Sequence, residues 1–159
     1  MAIALTDLIS VSTLQSIQDG FARLTGMAAL TTDADGNAVT KGSNFTEFCM
    51  DITRKNRDGA RRCAQCDKKG GEDALLSRKS VSYSCHAGLV DFAAPIMLGG
   101  EMIGSFIGGQ VLTEEPDEEK FRAIARDMGV NEDKYIAALR KVKIVSREHV
   151  EAAADFLFI

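Results

Sequence analysis

The apolar residues at the start of the chain recur about every 3.6 positions, at Leu5, Leu8, Ile9, Leu14, Ile17, Phe21 and Leu24. This period predicts an amphipathic helix over residues 6–25, ended by Gly26. The apolar run at 27–32 predicts a strand. The residues at 33–36 predict a hairpin turn, because an Asp-Gly pair favours the positive backbone angles that a tight turn needs. A short return strand is expected at about 38–41.

The middle of the chain contains two predicted helices and three predicted strands. One helical face is formed by positions spaced at i, i+3, i+4 and i+7, namely Phe45, Phe48, Cys49 and Ile52. A second helix is predicted over residues 60–77, with Gly70 and Gly71 weakening its middle. The strands follow at 81–85, 89–97 and 102–112, with a hairpin turn at 98–101.

The C-terminal third is predicted to be helical. A proline and an acidic first turn begin one helix at about residue 116, and Gly129 ends it. Asn131 can cap a helix that runs to about Lys141, and Ser146 can cap a last helix that runs to the chain end. Grouped strands with helices set apart predict an α+β fold, with a roughly five-stranded antiparallel sheet flanked by helices.

The composition is typical of one soluble domain. The chain has 159 residues, of which 45% are hydrophobic and 26% charged, which excludes disorder, collagen-like repeats and disulfide-dense mini-proteins. The net charge of −4 gives no general attraction to nucleic acid or to an anionic membrane. Without a long apolar stretch or a secretory signal, a cytoplasmic location is predicted. The apolar residues 156–159 lack a helix-stop signal, so we expect a single domain over 1–159 that is cut from a longer signalling protein.

Four cysteines are the strongest chemical signal in the sequence. Their spacing is C-x13-C-x2-C-x18-C, formed by Cys49, Cys63, Cys66 and Cys85, with His86 directly after the last. Four thiolates, or three with an imidazole, match a structural zinc site, and four also match an iron–sulfur cluster. A Cys-ligated metal is therefore predicted, with zinc and an iron–sulfur cluster both open. Reversible thiol–disulfide chemistry and inert buried cysteines are the alternatives.

A basic segment surrounds the central cysteines. Seven positive charges lie among residues 54–69, at Arg54, Lys55, Arg57, Arg61, Arg62, Lys68 and Lys69. One alternative is therefore a nucleic-acid-binding zinc module formed by this segment. The acidic total charge and the lack of interleaved aromatic residues count against nucleic acid as a partner. The simpler interpretation is a solvated helix face.

The sequence contains no recognisable catalytic machinery. Phosphate-loop, zinc-protease and serine-hydrolase motifs are all missing, so a non-enzymatic role is expected. A thiol enzyme or switch is a further alternative, with Cys66 or Cys85 as nucleophile and His86 as base. Adjacent residues of a strand point to opposite faces, which makes Cys85 and His86 a poor pair.

A series of short motifs resembles one known family when the motifs are taken in order. They are LQSIQDGF at 14–21 followed by Thr25 and Gly26, DADG at 33–36, Phe48 with Cys49, CAQCD at 63–67, YSCHAGL at 83–89, API at 94–96, and Gly104 followed by GGQV at 108–111. Together they resemble the PocR-type sensory domain, a variant of the PAS/GAF-like fold. The similarity covers residues 5–112 closely and the helical tail loosely.

The resemblance implies a sensory input domain of a bacterial signalling protein. Such domains precede histidine kinase, diguanylate cyclase, chemoreceptor or DNA-binding output domains. They bind small organic metabolites, propanediol-like molecules among them, in a pocket on the sheet. The expected partners are such a metabolite, an output domain in the same chain and a second copy in a homodimer, without direct membrane contact. We expect Tyr83, Phe106 and Gln110 to line the pocket, with His86 beside the cysteines.

Overall fold

One antiparallel sheet of four strands organises the fold, in the order β1-β4-β3-β2. The computed structural model describes residues 3–158. The strands are β1 (Ala28–Asp33), β2 (Val81–Ser84), β3 (Val90–Leu98) and β4 (Glu101–Val111). Gly99 and Gly100 form the β3–β4 turn with φ angles of 58° and 90°, which are the positive values that a two-residue hairpin requires. The α+β class and the antiparallel pairing are therefore confirmed.

Six α-helices and one π-helical segment surround the sheet in the described part of the chain. They are α1 (Leu5–Leu8), α2 (Val11–Thr25), the π-segment (Phe48–Thr53), α3 (Arg57–Ser77), α4 (Glu118–Met128), α5 (Glu132–Leu139) and α6 (Arg147–Leu157). None of these helices is long and apolar enough to cross a membrane. The predicted run of the last helix to residue 159 reaches a position outside the described residues.

Side-chain caps explain where several helices begin. The single helix predicted over 6–25 is wrong: the chain is interrupted at Ser10, whose Oγ accepts a hydrogen bond from the Thr13 N–H at 3.2 Å and so caps α2. Helix α3 begins earlier than predicted, because Asn56 Oδ1 accepts from the Gly59 N–H at 2.9 Å. The predicted caps at Asn131 and Ser146 are confirmed.

The sheet has four strands rather than the predicted five in the described residues. The return segment at 38–41 makes one isolated bridge with β1, between Ala38 and Thr32, and the Val39 N–H donates to the Thr31 carbonyl at 2.9 Å. Side chains then replace the backbone partners that a ladder would need. The Thr31 N–H donates to Thr40 Oγ1 at 3.0 Å, the Lys41 N–H donates to Gln15 Oε1 at 2.9 Å, and the Lys41 carbonyl accepts from Gln18 Nε2 at 2.7 Å. The segment therefore lies beside the sheet without extending its ladder.

The two faces of the sheet are packed differently. One face, called the sealed face, meets α1, α2 and α6 in an apolar core that includes Leu5, Leu14, Phe21, Phe92, Ala94, Phe106, Val150 and Leu157. The other face lies under α3 and the π-segment. A second core joins the π-segment to α4 and α5 through Phe48, Leu89, Phe121, Tyr135, Ile136 and Leu139. The site described next lies on this second face, called the cavity face.

Candidate functional site

A cavity of about 90 Å³ lies between the cavity face, α3 and the π-segment. Its walls combine apolar side chains with thiols and a few polar groups. They are Leu30, Phe45, Cys49, Met50, Thr53, Arg54, Cys63, Cys66, Asp67, Tyr83, Cys85, Ala87, Asp91, Ile107, Gly108 and Gln110. A wider, open cleft of about 610 Å³ beside α3 shares Asp67 and Ile107 with it, and so gives an approach from solvent.

The structure brings all four predicted cysteines to this one cavity. Cys49 comes from the π-segment, Cys63 and Cys66 from neighbouring turns of α3, and Cys85 from the residue after β2. All four thiols are free. Burial raises the pKa of Cys49 to about 12 and the pKa of Cys63 to about 11, and burial also raises the pKa of Cys85 well above its usual value. These three side chains are therefore neutral thiols at physiological pH.

The cysteine set does not form a ready metal site as it stands. Within residues 3–158, no group of three or more Cys, His, Asp or Glu side chains is arranged to hold a metal ion. Two of the sulfur atoms are already in contact with His86.

His86 contacts Cys63, which the sequence did not pair with it. The His86 Nε2 atom lies 3.1 Å from Cys63 Sγ, and the His86 backbone N–H donates to Cys66 Sγ at 3.4 Å. Burial, followed by the positive charges of Arg62 and Arg54, lowers the pKa of His86. A neutral imidazole beside a neutral thiol is satisfied when the Cys63 S–H donates to Nε2. The proton then sits on Nδ1, which is buried and has no hydrogen-bond partner in the structure.

A β-bulge shapes the floor of the cavity. The register passes from Val90 opposite Val111 to Phe92 opposite Gly108, so Asp91 alone faces two residues, Gly109 and Gln110. Gly109 has φ 113° and Gln110 has φ 53°, both in the left-handed region. Such a conformation costs a non-glycine residue on the order of 1 kcal/mol and is common beside functional sites. The bulge turns the Asp91 and Gln110 side chains toward the same space.

Gln110 is held so that its amide donor faces the cavity. Its Oε1 accepts from the Thr46 N–H at 2.8 Å and contacts Thr46 Oγ1 at 3.0 Å, which fixes the orientation of the amide. The residue is only 7% exposed. No acceptor among the described residues takes a hydrogen bond from its Nε2 group, so this N–H₂ is free for a ligand.

Asp91 is a site residue that the sequence analysis missed. Its Oδ1 accepts from the Gln110 N–H at 2.9 Å, and its side chain lines the cavity opposite Tyr83 on β2. Burial raises the pKa of the Asp91 carboxyl to about 7, with the Gln110 N–H bond acting in the opposite sense. Burial also raises the pKa of Tyr83, which remains a neutral hydroxyl. The glycine pair before Gln110 was the signal for a bulge, and an acidic residue opposite a bulge could have been sought from it.

Phe106 does not lie where the sequence analysis expected it. It is 4% exposed and packs in the core of the sealed face. Its neighbour Ile107 lines the cavity instead, because successive side chains of a strand point to opposite faces. Tyr83 and Gln110 are placed on the cavity wall, and His86 lies behind Cys63.

The basic segment is largely neutralised by acidic neighbours. Its ion pairs are Arg54 with Asp67, Lys55 with Asp51, Arg61 and Arg62 with Asp58, Arg62 with Asp127, Lys68 with Glu72 and Lys69 with Asp73. A phosphate backbone would have to compete with these carboxylates for the same cations. The segment therefore has the character of a solvated helix face, which favours the simpler interpretation.

Two comparisons with known proteins bear on this chain. A family model described as the sensory domain found in PocR matches residues 7–159. The regulatory protein PocR of Salmonella typhimurium is 31% identical over 155 residues, which are 94% of this chain and 51% of that protein. The chain thus spans about half the length of the curated relative that it matches.

Proposed function

The chain belongs to the PocR sensory-domain family, and on this basis we propose that it is a ligand-binding input domain whose ligand occupies the cysteine-lined cavity. The observation that carries the proposal is the cavity at the bulge, where apolar walls meet a few unpaired polar groups. This combination is typical of a small-molecule site. Membership of a sensory family supports binding without turnover. The antiparallel sheet with a cavity on one face supports a PAS/GAF-like arrangement.

The size of the cavity sets the size of the ligand. An engineered cavity of about 150 Å³ holds benzene, so a volume of about 90 Å³ suits roughly three or four heavy atoms. One hydroxyl group can donate to the Asp91 carboxyl and accept from the Gln110 amide. The apolar remainder would lie against Leu30, Phe45 and Ile107. Small alcohols are therefore the first ligands to test. Propanediol, whose five heavy atoms lie just above this range, is included because the family resemblance implies it.

Filling the cavity tests this proposal directly. Ile107→Phe places a larger side chain in the cavity, and Leu24→Phe makes the same kind of change on α2, where Leu24 is 84% exposed. We expect titration calorimetry with 1,2- and 1,3-propanediol to detect binding to the parent domain and to Leu24→Phe. Ile107→Phe should lose at least about tenfold in affinity, or about 1.4 kcal/mol. Equal binding by both variants would place the ligand elsewhere and overturn the proposal.

A structural path connects the cavity to the C-terminal helix. Strand β2 carries Tyr83, and Ser80, just before this strand, is hydrogen-bonded to Asp155 of α6. Helix α6 also packs on β2 and β3. A ligand that favours one packing of β2 would bias the position of α6, provided that it binds the two arrangements with different affinity. We propose that α6 passes this bias to an output domain or to a second copy in a homodimer.

The proposal includes a regulatory output domain of one of several types. The Salmonella relative is a regulatory protein, which supports a regulatory output for this chain as well. A transcription regulator, a histidine kinase, a diguanylate cyclase and a chemoreceptor are the candidate outputs. The cytoplasmic location expected from the sequence likewise stays a prediction.

A Cys-ligated metal is the second candidate occupant of the cavity, either zinc or an iron–sulfur cluster. The observation that favours it is the approach of Cys49, Cys63, Cys66 and Cys85 to one space. The present arrangement does not fit a metal, as described above, so we derive no step of signalling through one. Metal analysis and an absorption spectrum of protein purified without oxygen test the candidate. About one zinc, or iron with acid-labile sulfide and a visible band, would support it, and metal-free protein would exclude it.

A further inference from the structure

The Cys63–His86 pair has the geometry of an activated thiol. Cys63 Sγ forms part of the cavity wall, and His86 Nε2 lies 3.1 Å from it. A nucleophile in contact with a base that can take its proton is the recurring arrangement for covalent chemistry at sulfur. Cys63 faces the cavity, and His86 lies on the other side of the sulfur. A molecule in the cavity can therefore reach the Cys63 sulfur, while the His86 imidazole contacts the same sulfur from outside the cavity.

Another group on the cavity wall, the side-chain amide of Gln110, can bind a carbonyl oxygen. The Gln110 side chain is 7% exposed, its amide is oriented by Thr46, and its N–H₂ has no acceptor among the described residues. Such a donor can bind a carbonyl oxygen and hold the oxyanion that forms when a nucleophile adds to it. Thiols are weak hydrogen-bond partners, so four of them add little to the recognition of a hydroxyl group. Their distinctive property is nucleophilic addition, which an alcohol would leave unused.

We propose that this cavity captures a small aldehyde through reversible addition of the Cys63 thiol to its carbonyl carbon. The sulfur–carbon bond forms as the carbon–oxygen double bond becomes a single bond. The thiol proton passes to His86 Nε2, the carbonyl oxygen takes a proton from water, and the imidazolium returns its proton to water, so that the product is a neutral hemithioacetal. The addition needs no oxidant and no leaving group, and its reversal releases the aldehyde unchanged. Reversal of this kind is what a sensor requires.

The inference rests on the proposed function, because it needs the ligand to occupy this cavity. The volume again limits the ligand to about three or four heavy atoms, which is the size of acetaldehyde or propionaldehyde. The apolar wall formed by Leu30, Phe45 and Ile107 suits an alkyl chain. Charged aldehydes are disfavoured, because Arg54, the cation among the described residues of the cavity wall, is paired with Asp67 at 3.1 Å.

Carbon-13 NMR of the 159-residue domain with [1-¹³C]acetaldehyde tests the proposal. The hemithioacetal carbon resonates apart from both the free aldehyde and its hydrate. We expect one such signal at a stoichiometry of one per chain, and its disappearance when the aldehyde is removed by dialysis. Cys63→Ser should abolish the signal. Leu24→Ser is the control, because Leu24 is 84% exposed on α2 and lies outside the cavity wall, and this variant should keep the signal.

A second test asks whether His86 transfers a proton or only packs against Cys63. With His86→Gln, we expect the adduct to form about 100-fold more slowly than in the parent domain, because a positioned base contributes at least that factor to proton transfer. The amount of adduct at equilibrium should change less. Thermal unfolding of each variant shows whether it is folded, and Cys63→Ala replaces Cys63→Ser if the serine variant is not.

The outcomes distinguish this inference from the proposed function. If the alcohols bind but no hemithioacetal signal forms, the covalent step is wrong and the cavity remains a ligand site. If the signal persists in Cys63→Ser, another thiol reacts and the assignment to Cys63 is overturned. If neither alcohols nor acetaldehyde bind, both the inference and the proposed function fail.

Discussion

The two faces of the sheet differ in packing: neighbouring residues on one strand enter an apolar core on the sealed face and line a cavity on the cavity face. Phe92 on β3 is fully buried in the sealed face, where its ring meets Phe21 edge-on with centroids 5.7 Å apart. The preceding residue, Asp91, projects a carboxyl group into the cavity on the other face. The same alternation places Phe106 in the sealed core and Ile107 at the cavity. The sealed face provides packing energy, and the cavity face leaves space and unpaired polar groups.

The difference between the two faces shows that the cavity face is the less stable part of the domain. A sealed apolar face needs only complementary shapes, whereas the cavity face carries a buried carboxyl, a left-handed Gln110 and an unfilled volume. Each of these features costs folding free energy. They persist because the packing on the opposite face and in the helical layer exceeds their cost. Features that reduce stability in one place are candidates for function.

The largest expected effect comes from truncating the same side chain on each face. Phe92→Ala should lower the free energy of unfolding by about 3–5 kcal/mol, because it leaves a void in a close-packed core. Phe45→Ala should cost only about 1–2 kcal/mol, because part of that ring already borders the empty cavity. Urea unfolding followed by circular dichroism measures both. Equal losses would mean that the cavity face is packed as tightly as the sealed face.

The second test removes the buried charge. The folded-state pKa of Asp91 is raised to about 7, so the folded protein disfavours the carboxylate that the unfolded chain accepts. The stability contributed by the neutral acid is complete below about pH 4 and is lost as the pH rises toward 7. Asp91→Asn keeps an oxygen for the Gln110 N–H. It should therefore raise the unfolding free energy at pH 8 by about 2–4 kcal/mol and change it little at pH 4.

The control for this second test is an exposed aspartate on the turn after β1. Asp35→Asn changes the same functional group in solvent, and we expect it to alter stability by less than about 0.5 kcal/mol at either pH. A gain from Asp91→Asn that is equal at pH 4 and pH 8 would contradict the raised pKa. The gain would then come from packing rather than from the charge.

Local signals in the sequence predicted much of the fold. Capping residues such as Asn131 and Ser146, and the paired glycines of the β3–β4 turn, act over a few positions, so their effect is visible in the sequence. The predicted return strand at 38–41 does not form because the Thr40 hydroxyl takes the Thr31 N–H and glutamines from α2 take the backbone groups of Lys41. Such a competition depends on tertiary contacts that a local pattern does not contain.

The site was predicted only in part, and the reasons are long-range. The cysteine spacing drew attention to four residues that the structure places around one cavity, because chemistry-bearing residues stand out in a sequence, whereas their role as metal ligands stays a prediction. The assignment of Phe106 failed by one position, and a shift of one residue on a strand exchanges the two faces. Asp91 was missed because its role depends on the bulge across from it. The contact between His86 and Cys63 joins residues 23 positions apart and needed the fold to reveal it.

The smallest expected effect concerns Gly70 and Gly71, two adjacent glycines of α3. Gly70 faces Tyr83 of β2, whereas Gly71 faces open space, so the same substitution can be compared on the two sides of one helix. A Cβ atom on Gly70 would clash with the Tyr83 ring, whereas a Cβ atom on Gly71 would meet nothing within 4 Å. Alanine is favoured over glycine inside a helix by about 1 kcal/mol, so Gly71→Ala should stabilise the domain by about that amount. In Gly70→Ala the same gain is offset by displacement of Tyr83, and we expect a net loss of about 1 kcal/mol.

Ligand binding, measured alongside urea unfolding, distinguishes the two alanine variants further. Tyr83 lies on the cavity wall, so its displacement by Gly70→Ala should weaken the binding of propanediol or acetaldehyde, whereas Gly71→Ala should bind as the parent domain does. Helix propensity is the same for both positions and cancels in the difference. What remains is the contact between α3 and β2. If Gly70→Ala bound the ligand normally despite its lower stability, the Tyr83 ring would be part of the scaffold rather than of the binding wall.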